Sequence, residues 1–376
     1  ELGDVYKRQG EHHHLTGVHP RQVLLGAQAA TGVLPVCDHY SGVEPRIRKT
    51  LHLQAELMAE FGACVFDATL DCEDGSPVGG ELDHAQMVVG LIQEIHAQDR
   101  QNQSVHVDSG WRRTGVRIHP VDHPAFESDV DSIAGTAGAL LSHVMVPKVE
   151  SVADVDRAVQ AIDAALVRGH QVRNDALPLH VLLESSAAVH RAFEIAQHPR
   201  VQSISFGLMD FVSSHGGAIP DSAMRVESQN SPKELGQFSH PLVVRAKLEI
   251  AAACHAHGKV PSHCVVTEFA DVQAMRLAAQ RACREFGYTR MWSIHPSQIR
   301  PILEAMAPTE ADVEQAAAII EAAATAHWAP VNYKNQLHDR ASYRYFWHIL
   351  ERAHSTGRVL PNSMWAYFNT QPNPTH

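Results

Sequence analysis

Residues 179–210 read LHVLLESSAAVHRAFEIAQHPRVQSISFGLMD. Two short apolar runs stand in this stretch, Leu179–Glu184 and Ser203–Gly207. Each delivers a carboxylate at or just past its end, Glu184 and Asp210. A run that is apolar almost throughout, rather than at every second position, is the mark of a strand buried on both faces. Such strands belong to parallel sheets covered by helices. Runs of the same kind lie at Val33–Cys37, Cys64–Asp71, Gly115–His119, His143–Val149, Val260–Thr267 and Met291–His295. Helical patterns lie between them, among them Arg46–Phe61, Ala153–Arg168, Pro241–His257 and Ala270–Phe286, the last stopped by Gly287. Eight strand–helix alternations predict an α/β fold, a (β/α)8 TIM barrel over 21–307. A doubly wound open sheet ranks second, because no GxGxxG follows an early strand.

Past the barrel, Pro308-Thr309 opens an Ala-rich helix with Thr309 as N-cap and Asp312 three residues on, a variant of the capping box. A polar link, Val331 to Asp339, leads to a second helix near Ala341–Ala353, so 308–376 reads as a C-terminal helical lid segment. The connection Val212–His240, rich in Gly, Pro and Ser, is long enough to be functional and follows the sixth strand on the catalytic rim. Residues 1–20 carry no apolar period and begin without Met; they read as a disordered N-terminus or the scar of a read-through, outside the fold.

Composition bounds the function. The 376 residues are 44% hydrophobic and 19% charged, which excludes global disorder. No apolar run reaches the roughly 20 residues of a membrane span. With 31 Lys plus Arg against 42 Asp plus Glu, the net charge is −11, the wrong sign for gripping nucleic-acid phosphates. Six scattered cysteines without a CxxC pair read as reduced thiols of a cytoplasmic protein. The 27 histidines read as surface bias.

In a barrel of this kind, chemistry gathers at the C-terminal ends of the strands. Those ends supply Asp71, Glu73 and Asp74, then Arg117 and His119, Lys148 and Glu150, Glu184, Asp210, and His295. Glu184 and Asp210 close consecutive parallel strands, which run roughly 4.8 Å apart. Two carboxylates so placed must share a proton or a cation, unless they are surface caps at helix starts. Two carboxylates plus waters and substrate oxygens suit Mg2+. Glu73 and Asp74 would hold its waters from behind. Arg117, inside the apolar run VRIHP, needs an anionic partner: a developing oxyanion, or a buried ion pair with Glu73 or Asp71. The set Cys254, His255, His257, His263 and Cys264 matches no standard zinc spacing, and its helix end falls on the stability face of the barrel. Cys72, beside Glu73, makes a poor nucleophile.

These residues carry a resemblance. Asp71-Cys72-Glu73-Asp74-Gly75 is similar to the DLED(A/G) motif of the citrate lyase beta-subunit family, also called the HpcH/HpaI aldolase family. Val116-Arg117-Ile118-His119 resembles its RVN strand, Val146–Glu150 its LPKVE strand, and Phe206–Asp210 its FGxxD. Trp292–Ile299 resembles its closing (A/S)IHPxQI, and Glu184 matches its metal-binding Glu. The first strand departs from the family's RSxLxxPG, reading LPVCDHYSG, which leaves Arg46, Arg48 and Lys49 as substitutes for phosphate contacts. The Asn of RVN is His119 here.

The resemblance implies a barrel of the phosphoenolpyruvate/pyruvate superfamily, Mg2+ on Glu184 and Asp210, and reversible cleavage of a carbon–carbon bond beside a carbonyl. The C-terminal segment implies the thioester branch, whose lid covers a neighbouring subunit. There Leu337-His338-Asp339 resembles the lid's (M)ID motif, whose Asp handles a proton at the acyl carbon. The expected reaction is cleavage of a β-hydroxyacyl-CoA, or another thioester, to a 2-oxo acid and an acyl thioester. Arg117 and Asp339 are the catalytic residues, with Asp71, Glu73, Asp74, Lys148 and His295 around the substrate. A homo-oligomer, trimer or hexamer, is expected, with citrate lyase-type partner subunits possible and no nucleic acid or membrane partner. The alternatives are a thioester-free class II pyruvate aldolase with His39 or His119 as base, a non-catalytic thioester-binding subunit, and a zinc protein built on the Cys/His set.

Overall fold

The computed structural model describes residues 19–26, 33–75, 77–101, 112–227 and 234–368. Eight parallel strands close in chain order into a barrel, β1 pairing with both β2 and β8. They are β1 (Cys37–Ser41), β2 (Phe66–Asp71), β3 (Thr114–Arg117), β4 (His143–Val146), β5 (Leu179–Leu183), β6 (Val201–Phe206), β7 (Val260–His263) and β8 (Arg290–Ser293). The expected (β/α)8 architecture is therefore observed. The helices Glu44–Phe61, Val152–Arg168, Pro241–Ala256 and Val272–Phe286 fall within two residues of their sequence reading. Gly287 ends the last of them at φ 74°, the left-handed turn that a side chain would resist. The main core lies between the strands' outer faces and these helices.

Contacts divide the chain into two units. The barrel unit comprises 33–307 with 352–358. In the second unit fall 19–26, 308–351 and 359–368 of the described residues. Its helix Glu310–Thr325 starts with Thr309 and Asp312 capping each other reciprocally. Its buried side chains include Tyr343, Trp347, Leu350 and Met364. The Trp347 Nε1–H donates to Glu351 at 2.7 Å, and Arg21 pairs with the same carboxylate. The polar link is corrected to a short antiparallel hairpin, β9 (Val331–Tyr333) and β10 (Gln336–His338). Lys334 and Asn335 turn at φ 49° and 63°, and Asn332 Oδ1 accepts from the Asn335 N–H. Residues 1–18, most of the N-terminal stretch singled out above, lie outside the described residues, as do 228–233 of the long connection; Pro20–Leu25 is a helix.

The first strand is displaced from its expected place. It runs over Cys37–Ser41, not Val33–Cys37. The reason lies inside the barrel. Side chains alternate along a strand, so Asp38 and Tyr40 share one face of β1, as do Thr69 and Asp71 of β2, His143 and Met145 of β4, His180, Leu182 and Glu184 of and after β5, and Arg290 and Trp292 of β8. The lower members of these series form a buried polar layer. Arg290 Nη2 lies 2.8 Å from Asp38 and 2.7 Å from Asp67. Thr69 donates to Asp38 at 2.6 Å and meets His143 Nε2 at 2.9 Å. The His143 and His180 rings stack at 3.9 Å. At Gly115 on β3 a Cβ would overlap the His143 ring. An apolar-run reading passes over β1 because its inward residues are polar, and they are polar because they complete this layer.

Burial pushes His39 and His143 down to about 4, and His180 and His263 well below their usual range. Above pH ~6.5 these rings are neutral in both the folded and the unfolded chain, so they cost nothing. Below it the unfolded chain takes up protons that the folded one refuses, so stability falls as pH drops towards 4. We expect a loss of about 1 kcal/mol per pH unit for each ring in that window. Guanidinium unfolding midpoints at pH 7.5 and 5.5, measured on Glu184→Gln so that the carboxyl pushed up to about 8 does not offset the change, will show it; a midpoint that stays put would contradict it.

Candidate active site

A cavity of 860 Å³ opens at the C-terminal end of the barrel. Its lining includes Asp71, Asp74, Arg117, Glu184, Asp210 and His295, six of the nine residues singled out from sequence. Just beneath lies a small apolar cluster of Tyr40, Met145, Leu182, Val265 and Trp292, with Tyr40 and Trp292 stacked at 4.5 Å. It is the layer above the polar one, and it walls the acidic rim off from it.

Glu184 follows β5 directly. Asp210 sits one step further out than expected, in the first turn of the helix Leu208–Ser213 after β6. Glu184 is buried and Asp210 exposed. Burial pushes the Glu184 carboxyl up to about 8; Lys148 opposes the shift, and the charges of Asp210 and Glu73 add to it. Its Oε2 has no hydrogen-bond partner, and Lys148 Nζ stands 3.8 Å away. On Gly207 a Cβ would overlap the Glu184 side chain, so the missing side chain there makes the carboxylate's berth. Lys148 itself holds φ 52°, a conformation L side chains rarely adopt, and also pairs with Glu73.

Arg117 ends β3 with its guanidinium set among three carboxylates. Its Nε and Nη2 grip Asp71 in a fork at 2.8 and 2.7 Å, Nη1 lies 2.8 Å from Glu73, and Nη2 3.1 Å from Asp74. The guanidinium also lies 5.6 Å from the Tyr40 ring. Of the two partners weighed for it, the buried ion pair is the one present, and it includes Asp71 and Glu73 together. Glu73 and Asp74, read above as holding the metal's waters, both contact Arg117. His119, the residue in place of the family's Asn, donates from Nδ1 to the Asp129 carboxylate at 2.6 Å and stacks on His123. His295 lies past the end of β8, exposed, with Phe269 stacked on it at 5.1 Å. Asp339 belongs to the second unit. There its Oδ1 accepts from the Ala341 N–H at 2.9 Å and the Ser342 N–H at 3.3 Å, capping the helix Arg340–Ser355.

Two rim loops touch as bare backbone. At Gly42, after β1, and Gly75, after β2, a Cβ on either would collide with the other's Cα, and both glycines line the cavity. On the helix that follows Gly42, Arg46 and Lys49 line the cavity as well, whereas Arg48 is tied to Glu44 and Glu94 at 2.9 Å each.

Which residues would hold a metal can be tested on geometry. Asp38, His143 and His180 bring three ligand atoms within 4.8 Å of one another. An imidazole lone pair lies in its ring plane, and these two rings are stacked with only 13° between planes, so no point serves both nitrogens. Asp38 is moreover paired with Arg290. The Cys/His set fares no better: His255 bonds the Gly287 carbonyl and Cys264 bonds Gln237. By contrast, Glu184 offers a buried, unpartnered oxygen beside a second carboxylate and an open cavity, a donor set of hard oxygens that fits Mg2+.

A model of HpcH/HpaI aldolase/citrate lyase proteins matches residues 54–296. The chain belongs to the HpcH/HpaI aldolase/citrate lyase family. It is an enzyme, a carbon–carbon lyase. An L-malyl-CoA/beta-methylmalyl-CoA lyase of Cereibacter sphaeroides is 32% identical over 301 residues, spanning 77% of this chain and 87% of the relative. A citrate lyase crystal structure from Burkholderia xenovorans LB400 superimposes with a TM-score of 0.72 at 44% identity, covering 93% of this chain and 100% of that one. A CitE protein of Mycobacterium tuberculosis, crystallised with magnesium, acetoacetate and coenzyme A, shares the fold at 19% identity and a TM-score of 0.56, over 85% of this chain and 98% of that one.

In this lyase, sequence reasoning missed the partners that act across the barrel. Asp129 behind His119, Asp38 and Asp67 around Arg290, and the Tyr40–Trp292 stack were not singled out. A signal existed for Asp38 and Asp67, since a carboxylate at an inward position of a barrel strand must find a cation. Among the described residues no helix is long and apolar enough to cross a membrane.

Proposed function

We propose that this lyase cleaves a β-hydroxyacyl thioester, of CoA or a carrier, into a 2-oxo acid and an acyl thioester, and runs the reverse condensation. The observation that supports it most directly is Glu184: buried, one oxygen unpartnered, facing a large open cavity with Asp210 on its rim. Mg2+ held by Glu184 and Asp210 would supply a Lewis acid for the carboxylate and carbonyl oxygens of the 2-oxo acid. The fork from Asp71 and the contact from Glu73 fix the guanidinium of Arg117 before substrate arrives, so its charge needs no reorganisation as the oxyanion develops. Lys148, held by Glu73, guards the empty side of Glu184. Asp339, from the lid of a neighbouring subunit, would protonate the departing enolate carbon, or take that proton in condensation. The malyl-CoA lyase relative makes CoA esters the first substrates to try.

A second reading, thioester-free aldol cleavage, draws on His39. The Ser293 hydroxyl donates to the His295 carbonyl at 2.9 Å, so the His39 Nδ1–H donates to Ser293, also at 2.9 Å, and Nε2 is left as the basic nitrogen of a residue bordering the cavity. Burial holds that ring at about 4, which makes it a weak base and ranks this reading second.

A panel of 2-oxo acids against acyl-CoAs, with and without Mg2+, tests the proposal. Turnover should need both the thioester and the metal; cleavage of hydroxy-keto acids without CoA would sink it. Asp339→Asn should lose solvent exchange at the acyl carbon while still binding Mg2+ and the 2-oxo acid. Unchanged exchange would remove Asp339 from the reaction.

A further inference from the structure

Away from the cavity, one buried cluster has no structural counter-charge. Lys247, on the helix Pro241–Ala256, is wholly buried, as are Gln237 in the preceding loop and Cys264 directly after β7. Among the described residues no carboxylate lies within ion-pair distance of Lys247. Glu227, whose charge reaches Lys247, is itself paired with Arg281 at 3.2 Å. Instead Lys247 Nζ donates to Gln237 Oε1 at 2.9 Å, and Cys264 Sγ donates to the same oxygen at 3.2 Å. The amine and the thiol therefore meet at one acceptor, the Gln237 side-chain oxygen. Phe238 covers Nζ at 3.9 Å from its ring centroid, with Phe286 at 5.8 Å.

Burial pushes Lys247 down to about 8, so a sizeable share is the neutral amine near physiological pH. A neutral amine and a thiol held on one oxygen, in an apolar core, are two oxidisable partners waiting for an oxidant. Cys37, Cys72 and Cys254 are buried too, but among the described residues none shares an acceptor with a lysine amine as Cys264 does.

We propose that Lys247 and Cys264 form a redox-reversible covalent pair, an N–O–S bridge joining Nζ to Sγ, with dioxygen as the oxidant. One N–H and the S–H bond break; N–O and O–S bonds form around one oxygen atom. The second oxygen leaves as water with those two hydrogens. Nitrogen and sulfur each give up two electrons, and the four electrons reduce both oxygen atoms. Dioxygen is small and apolar enough to reach a packed apolar core that includes Phe238, Phe286 and Tyr288, where charged oxidants are kept out. The bridge would staple the end of β7 to the helix Pro241–Ala256. Val265 and Thr267, just beyond Cys264, line the catalytic cavity, so the staple would stiffen that rim.

The test uses the full chain, held either in air or anaerobically with dithiothreitol, and digested with a protease that spares lysine. The expected result in air is a joined pair of peptides carrying Lys247 and Cys264. It should be heavier than their sum by one oxygen less two hydrogens, with one of the six thiols lost to titration and recovered by dithiothreitol. The aerobic form should also melt higher. Lys247→Met and Cys264→Ala should each abolish the joined species. Cys264 found as a free thiol in air, or oxidised with Lys247 unmodified, overturns the proposal, and the wild-type digest alone decides it should either variant fail to fold.

Discussion

Glu184→Gln and Asp210→Asn are each expected to abolish turnover while the barrel survives. The first substitution keeps the shape of the side chain and replaces a carboxyl that burial already pushes up to about 8 with a neutral amide. Its berth against Gly207 is unchanged, so stability should hold or rise slightly. What is lost is charge: an amide oxygen holds a hard divalent cation far less well than a carboxylate. Asp210 is exposed, and Asn in its place disturbs no packing. Each change should remove several kcal/mol of transition-state stabilisation, a fall of about a thousandfold in kcat/KM. Titration calorimetry with Mg2+, or Mn2+ resonance, should show the affinity falling in parallel while thermal unfolding stays put. Near-normal turnover or unchanged metal affinity in either variant would break the assignment.

Arg290→Met is expected to be the most damaging single change to the fold. Arg290 is fully buried and bridges Asp38 and Asp67. Asp67 keeps a second partner, Arg113 at 2.6 Å, and the arginines around it hold its carboxyl well below the usual range, against the opposing effect of burial. Asp38 keeps only neutral donors: the Thr69 hydroxyl and a long bond from Tyr40. Removing one member of a buried ionic set typically costs about 3–5 kcal/mol, because a charge is left stranded. Arg290→Lys should recover only part of this, since the shorter lysine cannot meet both carboxylates and also replace the bond from Arg290 Nη1 to the Pro35 carbonyl. Urea unfolding measures both variants; a loss under about 1 kcal/mol would mean the layer relaxes or admits water.

The barrel was legible because seven of its strands are apolar enough to announce themselves, and β1 was misplaced for the opposite reason. An apolar run points to the outward, helix-facing side chains, and in β1 the signal is split by Asp38, which serves a pairing made with residues far along the chain. The rim carboxylates were legible for a related reason: charged side chains that follow apolar strands stand out against them. What sequence does not carry is which charges cancel. Arg117 was read as awaiting either a substrate oxyanion or an ion pair, and only the register of β2 against β3, with Asp71 opposite Arg117, decides for the fork. The β9–β10 hairpin escaped notice because three-residue strands leave too little period to detect.

The bare contact of Gly42 with Gly75 has a practical side. Efforts to widen the substrate range of this lyase will be drawn to the residues framing the cavity mouth. At these two positions any side chain would act as a wedge between neighbouring loops before it met a substrate at all. A mutagenesis library that leaves both untouched, and varies Tyr40, Leu182, Met209 or Val265 instead, keeps the aperture intact while changing what it admits.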